Sequence, residues 1–405
     1  MNKSPIAALA VLALAGCGKK AEAPKAEKPF EESLIEQMLD AKPGDIIEIP
    51  EGVFQFDRSL SLTADGVTIR GKGMDKSILS FKGQKQGAEG LLVTADDFTI
   101  EDVAIEDTRG DALKVNEGKN IVIRRVRTEW TGGPKTENGA YGIYPVQTTN
   151  VLIEGSVAIG ASDAGIYVGQ SKNVVVRNNT AERNVAGIEI ENTFDADVYD
   201  NVATNNTGGI LVFNMPNLAQ PGARTRLFRN RVSSNNLPNF AVEGTTVRNV
   251  PAGSGVIVQS KDQVEIFDND IVDNNTGSIL ISSIFSSGLS MEGMAPDFDG
   301  YPEAIFVYGN RMSGGGTNPG NEQLAALKAA LFSDGGALPD VLWDGVVDPA
   351  KQIDGATPAH LRVCVQNEGA EVLSINPQGP GLITADVNCA LEKLPAVTLA
   401  PPLGG

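Results

Sequence analysis

The chain has 405 residues, of which 41% are hydrophobic, and a formal net charge of −18 at pH 7. Such an acidic chain argues against binding to nucleic acid and to anionic membrane surfaces, because both carry dense negative charge. Aromatic residues make up only 5% of the chain while glycine occurs 45 times, which is more typical of a repetitive β-solenoid than of a compact mixed core.

Residues 1–17 are predicted to be a secretory signal. An apolar run at 6–15 follows Lys3, and it is shorter than the roughly 20 residues that cross a bilayer. The end of this segment, Leu14-Ala15-Gly16-Cys17, resembles the bacterial lipobox. That resemblance implies lipidation of Cys17 and, because Gly18 follows, sorting to the outer membrane of the cell envelope. The alternative is an ordinary secretory signal with a chance cysteine.

Two further features follow from this predicted export. Residues 18–29 are polar and low in complexity, so they are predicted to be a disordered tether. Cys364 and Cys389 are the remaining cysteines, and an oxidising compartment favours a disulfide between them. It would close a loop of about 25 residues and stabilise the chain by about 3 kcal/mol. With His360 as the single histidine and no Cys-x-x-Cys-His motif, haem attachment and a metal site at the two cysteines are not expected.

A short motif, Gly-apolar-x-apolar, repeats along the chain. It begins at Gly165, Gly187 and Gly209, so that the step is 187 − 165 = 22 residues. Asparagines recur in phase with it, for example Asn179 with Asn184, at positions expected to be turns. Each step is therefore predicted to be one coil of three short alternating strands. Such a coil cannot bury its inner face alone, so the coils must stack about 4.8 Å apart.

The segment before the repeats resembles the start of the pectate-lyase-like right-handed parallel β-helix superfamily. A helix is predicted over 30–41, followed by the motifs 43–54 and Gly71-Lys72-Gly73. The resemblance implies an all-β fold, a right-handed parallel β-helix over 30–316. The N-terminal helix would form a cap whose apolar face consists of Phe30, Leu34, Ile35, Met38 and Leu39. Residues 317–405 are predicted to form a small irregular C-terminal cap with a tail.

The candidate site is the outer face of the Gly-apolar-x-apolar strand. Insertions that would wall a groove flank this strand on both sides, at 128–140, 213–225, 237–253 and 283–302. Aromatic rings beside polar groups suit sugars, so the predicted binding residues are Tyr144, Tyr167, Trp130, Asn116 and Gln147. The alternative is a plain solvated sheet face on which such residues are common.

One stretch resembles the catalytic segment of mannuronan C5-epimerases. Tyr141-Gly142-Ile143-Tyr144-Pro145-Val146 matches that family's pattern, except that the family's Asp and His positions are Tyr144 and Val146 here. The resemblance supports the fold and the position of the groove, and it counts against epimerase activity.

Other chemistry remains open from residue types alone. Lys114 with Tyr144 or Tyr167 could serve a lyase if Glu189 or Glu191 held Ca²⁺. Glu189 and Glu191 could alternatively be the two carboxyl groups of a glycosidase. No other cofactor is predicted, and the acidic run at 96–111 is either a Ca²⁺ site or a solubilising face.

Three functional hypotheses follow. The chain is a non-catalytic module that binds a polysaccharide or a partner, a divergent polysaccharide lyase or hydrolase, or a structural lipoprotein. It also resembles β-helix repeat lipoproteins that are encoded beside a second exported protein. This last resemblance implies an exported protein partner and favours the first and third hypotheses.

Overall fold

The structure, a computed structural model, describes Met1 and residues 28–288, 292–332, 335–375, 381–382 and 387–400. Cys17, the predicted signal after Met1 and most of the predicted tether lie outside the described residues. Within the described ranges, no helix has both the length and the apolar character needed to cross a bilayer.

Two long sheets, almost entirely parallel, dominate the described residues. Sheet A contains the strands Ile46–Glu48, Gly52–Gln55, Thr68–Arg70, Ser77–Ser80, Thr99–Glu106, Lys119–Glu129, Thr149–Glu154, Val157–Ile159, Lys172–Arg177, Thr180–Glu182, Phe194–Tyr199, Val202–Thr204, Ala223–Phe228, Arg231–Ser233, Asp262–Phe267, Asp270–Val272, Ile305–Tyr308, Arg311–Ser313 and Val363–Gln366. Sheet B contains the strands Arg58–Leu62, Gln86–Val93, Leu113–Asn116, Tyr141–Val146, Ala164–Gly169, Ala186–Glu191, Gly208–Phe213, Ser254–Gln259, Gly277–Ser282, Val341–Trp343, Val372–Ser374 and Gly381–Leu382.

Successive coils stack in register, as the repeat predicts. In sheet B, Ile166 lies beside Ile188, which lies beside Ile210, and all three are buried in one continuous core. Because side chains alternate along a strand, the residues between them point outward. Burying each such aliphatic side chain stabilises the fold by about 1.5–3 kcal/mol, so the core grows with every added coil.

Asparagine ladders hold the turns together. The Nδ2 of Asn179 donates to Oδ1 of Asn201, and the Nδ2 of Asn201 donates to Oδ1 of Asn230, each at 3.0 Å. The same amides donate to backbone carbonyl oxygens, as Asn201 does to Val176 at 2.9 Å. These side chains are buried, and their amides would carry unpaired polar atoms without this stacking.

The N-terminal cap is helix α1, Phe30–Leu39. Leu34 and Met38 are buried against the first coils, as predicted. The assignment of Leu39 to the same apolar face was wrong, since its side chain is 72% exposed. It lies at the last position of the helix, next to the C-cap Asp40.

The predicted end of the β-helix at residue 316 was also wrong. After helix α2, Glu322–Leu331, the strands Val341–Trp343 and Val363–Gln366 pair in parallel with earlier coils. The repeat motif is absent from these strands, which is why they escaped prediction. Short 3₁₀ helices also connect the coils, at Thr246–Asn249, Ile284–Ser286, Pro349–Lys351 and Ala359–Leu361.

The disulfide prediction is confirmed. Cys364, in the last strand of sheet A, is bonded to Cys389, and their Cα atoms are 4.9 Å apart.

Candidate functional site

The predicted outward residues of sheet B do form one column. Lys114 lies beside Tyr144, Tyr167 beside Glu189, and Glu189 beside Leu211 in successive coils. The strand alternation that buries the isoleucines of each coil is what turns these side chains outward.

Three tyrosine rings cluster at the start of this column. The centroid of Tyr141 lies 4.5 Å from that of Tyr144 and 4.6 Å from that of Tyr167, and Tyr144 and Tyr167 are 4.9 Å apart. The ammonium group of Lys114 lies 4.9 Å from the centroid of Tyr144. The rings are held by one another, so part of their contact surface is already ordered before any ligand arrives.

Carboxyl groups lie against the tyrosines. The hydroxyl of Tyr167 donates to Oε1 of Glu191 at 2.8 Å, and Tyr141 is hydrogen-bonded to Asp163. Oδ1 of Asp163 and Oε2 of Glu189 are buried and have no hydrogen-bond partner. An unsatisfied buried acceptor costs about 1–3 kcal/mol, so a water molecule or a ligand that donates a hydrogen bond to either atom would relieve this cost.

Burial raises the pKa of each of these acids, and repulsion from neighbouring carboxylates adds to the rise for Asp163 and Glu189. Burial, with the charge of Glu191 nearby, raises the pKa of Asp163 to about 7. Burial also raises the pKa of Asp111, at the edge of the cluster, to about 6. The pKa values of Glu189 and Glu191 are raised by the same cause. Clustered groups with perturbed pKa values are typical of functional sites, although ion networks produce them too.

A buried cation lies behind the acids. Lys261 is fully buried, and its Nζ donates to the carbonyl oxygen of Thr193 at 2.8 Å. Burial lowers the pKa of Lys261 to about 7, and its positive charge acts against the rise in the pKa of Glu191.

A loop, residues 236–253, roofs the middle of the column. Val247 and Val250 of this loop pack with Leu211 and Phe213 in a second apolar cluster. The roof is folded around Asn239, whose Nδ2 donates to three carbonyl oxygens of the loop. Leu211, Phe213 and the neighbouring Ile257 are therefore buried and do not form an exposed apolar rim.

The roof divides the predicted groove into two parts. Tyr167 and Glu189 are only 4% and 2% exposed, while Lys114, Tyr141 and Tyr144 are half-buried. Beyond the roof lies a cavity of about 1330 Å³. Its lining includes Ile257, Leu280, Leu342, Asn239 and Arg248.

The other predicted binding residues, Asn116, Gln147 and Trp130, do not join the tyrosine cluster. Asn116 is half-buried in sheet B, and Gln147 is exposed at its edge, with Nε2 3.5 Å from Oε1 of Gln170. The placement of Trp130 in a groove wall was wrong. Its ring is 4% exposed within the main core, and its Nε1 donates to the carbonyl oxygen of Thr108 at 2.7 Å.

Sequence reasoning missed Asp163 and Lys261. For Asp163 a signal existed, since Asp111-Ala112 and Asp163-Ala164 both stand at the start of a repeat strand. A polar residue at that turn lies at the edge of the outer face. No pattern marks Lys261, which reaches Thr193 only through the stacking of coils.

Neither Glu189 nor Glu191, one of which was suggested to hold Ca²⁺ in a lyase, belongs to a cluster of three acidic ligand atoms among the described residues. Among the described residues, only Asp262, Asp299 and Glu303 bring three acidic ligand atoms within 4.8 Å of one another. There the Nζ of Lys351 lies 2.5 Å from Asp299 and 2.7 Å from Glu303. The lysine already supplies a positive charge between two of the three acids of this second cluster.

Comparison with known proteins agrees with this architecture. Residues 62–220 match a family model described as a right-handed beta helix region. No curated protein sequence matches the chain.

Solved structures of several proteins are similar to the chain. One is the A-module of the mannuronan C-5 epimerase AlgE4 of Azotobacter vinelandii, with 19% identity and a TM-score of 0.54 over 85% of this chain and 91% of that one. Another is an alginate lyase from Paenibacillus sp., with 15% identity and a TM-score of 0.40 over 69% of this chain and 92% of that one. At such identity the first likeness shows the fold and not the activity. The chain is therefore a right-handed parallel β-helix protein, as its repeats and first coils predicted.

Proposed function

We propose that this protein binds a polysaccharide on the outer face of sheet B, at the surface formed by Lys114, Tyr141, Tyr144 and Asp163. The unpartnered buried acceptors, Oδ1 of Asp163 and Oε2 of Glu189, beside the tyrosine rings are the observation that carries the proposal. Sugars present hydroxyl donors together with apolar ring faces, which is what acceptors beside aromatic rings can bind.

The charges at this surface favour an uncharged glycan. Asp111, Asp163, Glu189 and Glu191 outnumber the surface cation Lys114, and the second cation, Lys261, is buried. Above about pH 7, where Asp111 and Asp163 are ionised, a polyuronate would bring further carboxylates against these acids, and like charges at short range oppose binding. The fold is shared with an alginate-modifying enzyme, but this charge pattern does not suit that substrate.

Replacing Tyr144 with alanine is expected to weaken glycan binding about 5- to 30-fold, as for the loss of about 1–2 kcal/mol of ring contact. The ring is half-buried and contacts Tyr141 and Tyr167, so the variant removes contact surface without opening the main core. Binding is measured on a panel of neutral polysaccharides and alginate, with a soluble form that begins at Gly18.

Tyr199→Ala is the matched control, because its ring stacks on Phe228 at 4.7 Å on sheet A. This control is expected to bind as the native protein does. Binding that survives in Tyr144→Ala, or a preference for alginate, would contradict the proposal.

A second candidate is catalysis by a divergent hydrolase. It is favoured by the raised pKa of Asp163, about 7, since a carboxyl group that titrates near neutral pH can act as a general acid or base. New reducing ends in the panel, lost in Asp163→Asn, would establish a hydrolase. Unsaturated ends would indicate a lyase instead. Polysaccharides that stay intact would mean that the protein binds them without catalysis.

We also propose, from the sequence, that Cys17 carries a lipid anchor at the outer membrane. A diacylated and N-acylated cysteine holds a protein firmly, because each buried CH₂ contributes about 0.8 kcal/mol. Labelled fatty acid should enter the native chain in the bacterial envelope and not the Cys17→Ser variant. Affinity capture from the same membranes tests the exported protein partner, and recovery of the chain alone would count against it.

A further inference from the structure

The end of the described chain lies across sheet A. Val387 packs in the main core, and Cys389 is bonded to Cys364 at the last strand of this sheet. Residues 389–400, the strap, then run back toward earlier coils. Lys393 Nζ lies 4.7 Å from the centroid of Tyr308, and the backbone N–H of Ala400 donates to Oδ1 of Asn150 at 2.9 Å.

The strap follows one column of outward side chains. Cys364 begins this column, which continues through successive coils to Phe306, Glu265, Arg226, Asp197, Val175 and Leu152. Although they point away from the coil interior, Asp197 and Glu265 are only 4% and 3% exposed. The strap covers them, and this burial raises the pKa of both carboxyl groups.

The strap contacts the sheet with a period of three residues. Leu391, Leu394 and Val397 are half-buried, while the residues between them are exposed. The backbone N–H of Val397 donates to Oδ2 of Asp197 at 3.1 Å. The backbone N–H of Leu394 faces the carboxyl group of Glu265 and acts against the rise in its pKa.

This period matches the spacing of the coils. Glu265 and Asp197 are two coils apart, which is about 9.6 Å at the usual strand spacing. Three residues of a polyproline II segment rise about 9.3 Å. One turn of such a segment therefore brings each third N–H to the next acceptor. Pro395 suits this conformation and lies at an exposed position, where its missing N–H is not needed.

We propose that the outer face of sheet A is a binding groove for a polyproline II segment, that the strap fills it in cis, and that the Cys364–Cys389 disulfide holds the strap there. The groove recognises backbone N–H groups through side-chain acceptors, of which Oδ2 of Asp197 is one. A copy of the same segment binds in trans only when the groove is empty. In the native chain, tethering maintains a millimolar effective concentration of the strap, which excludes the free peptide.

The test uses the full chain with residues 390–400 replaced by a Gly-Ser sequence of equal length, which keeps Cys389. A fluorescent peptide with the sequence of residues 390–400 is expected to bind this chain saturably and not the native chain. Asp197→Ala should weaken binding about tenfold or more, because Val397 loses its acceptor. Asp200→Ala is the control, since Asp200 lies in the same coil as Asp197 but pairs with Arg229 of the next coil and not with the strap. Absence of binding to the Gly-Ser chain, or equal binding to the native chain, overturns the groove.

Hydrogen–deuterium exchange tests the disulfide in case the Gly-Ser chain fails to fold. In the full chain with Cys364→Ser and Cys389→Ser, the amides of residues 390–400 should exchange about tenfold faster or more than in the native chain. The amides of sheet A strands at coils 172–228 should keep their native rates. Unchanged exchange in the strap overturns the role of the disulfide.

Discussion

Gly71→Ala is expected to lower the free energy of unfolding by about 3 kcal/mol or more. A Cβ at this position would overlap the carbonyl oxygen of Asp102 and lie 2.9 Å from the Cβ of Ser77. The obstacle is backbone of the next coil, which is held by the pairing of Thr68–Arg70 with the strand Thr99–Glu106. Neither coil can move aside without losing ladder hydrogen bonds. The midpoint of urea unfolding, followed by circular dichroism, measures the loss.

Gly83→Ala is the matched control. Gly83 is exposed in a turn, and a Cβ there would meet no atom within 4 Å. Its free energy of unfolding should stay within about 0.5 kcal/mol of the native value. Equal stability of the two variants would mean that the close contact between the first coils is not as described.

Asp163→Asn is expected to remove a pH dependence of stability of about 3 kcal/mol between pH 5 and pH 8. Burial and the nearby Glu191 raise the pKa of Asp163 to about 7 in the folded protein, whereas an unfolded aspartate has a pKa of about 3.9. Between these values the folded state keeps a proton that the unfolded state releases. The contribution of Asp163 to stability is therefore complete below about pH 4 and is lost as the pH rises through about 7.

Urea unfolding at pH 5 and pH 8 measures this difference for the native chain and the variant. Asparagine cannot ionise, so Asp163→Asn should be more stable than the native chain at pH 8, and its stability should change less with pH. Asp200→Asn, which breaks an exposed pair with Arg229, should keep the native slope. The same slope in Asp163→Asn would contradict the assignment of the titration to this carboxyl group.

The candidate site was partly predictable. Alternation along each strand placed Lys114, Tyr144 and Glu189 in one outward column, and one repeat interruption, 237–253, contains most of the roof. The same reasoning failed for Trp130. The local sequence around an aromatic residue just after a strand does not distinguish a position in a groove wall from a position in the core. It also passed over Lys261, whose position near Glu191 arises from coils far apart in sequence.

Local pattern determined which residues of this protein point inward and outward and how the coils stack. These properties follow from the strand period, the coil period and the asparagine and glycine turns, all of which are local. Tertiary structure decided which outward residues meet solvent. The roof at 236–253 buries Leu211 and leaves Tyr144 half-open, and the strap at 389–400 covers Asp197 and Glu265. The roof and the strap do not carry the Gly-apolar-x-apolar motif of the coils. Their positions depend on long-range packing, which periodicity does not encode.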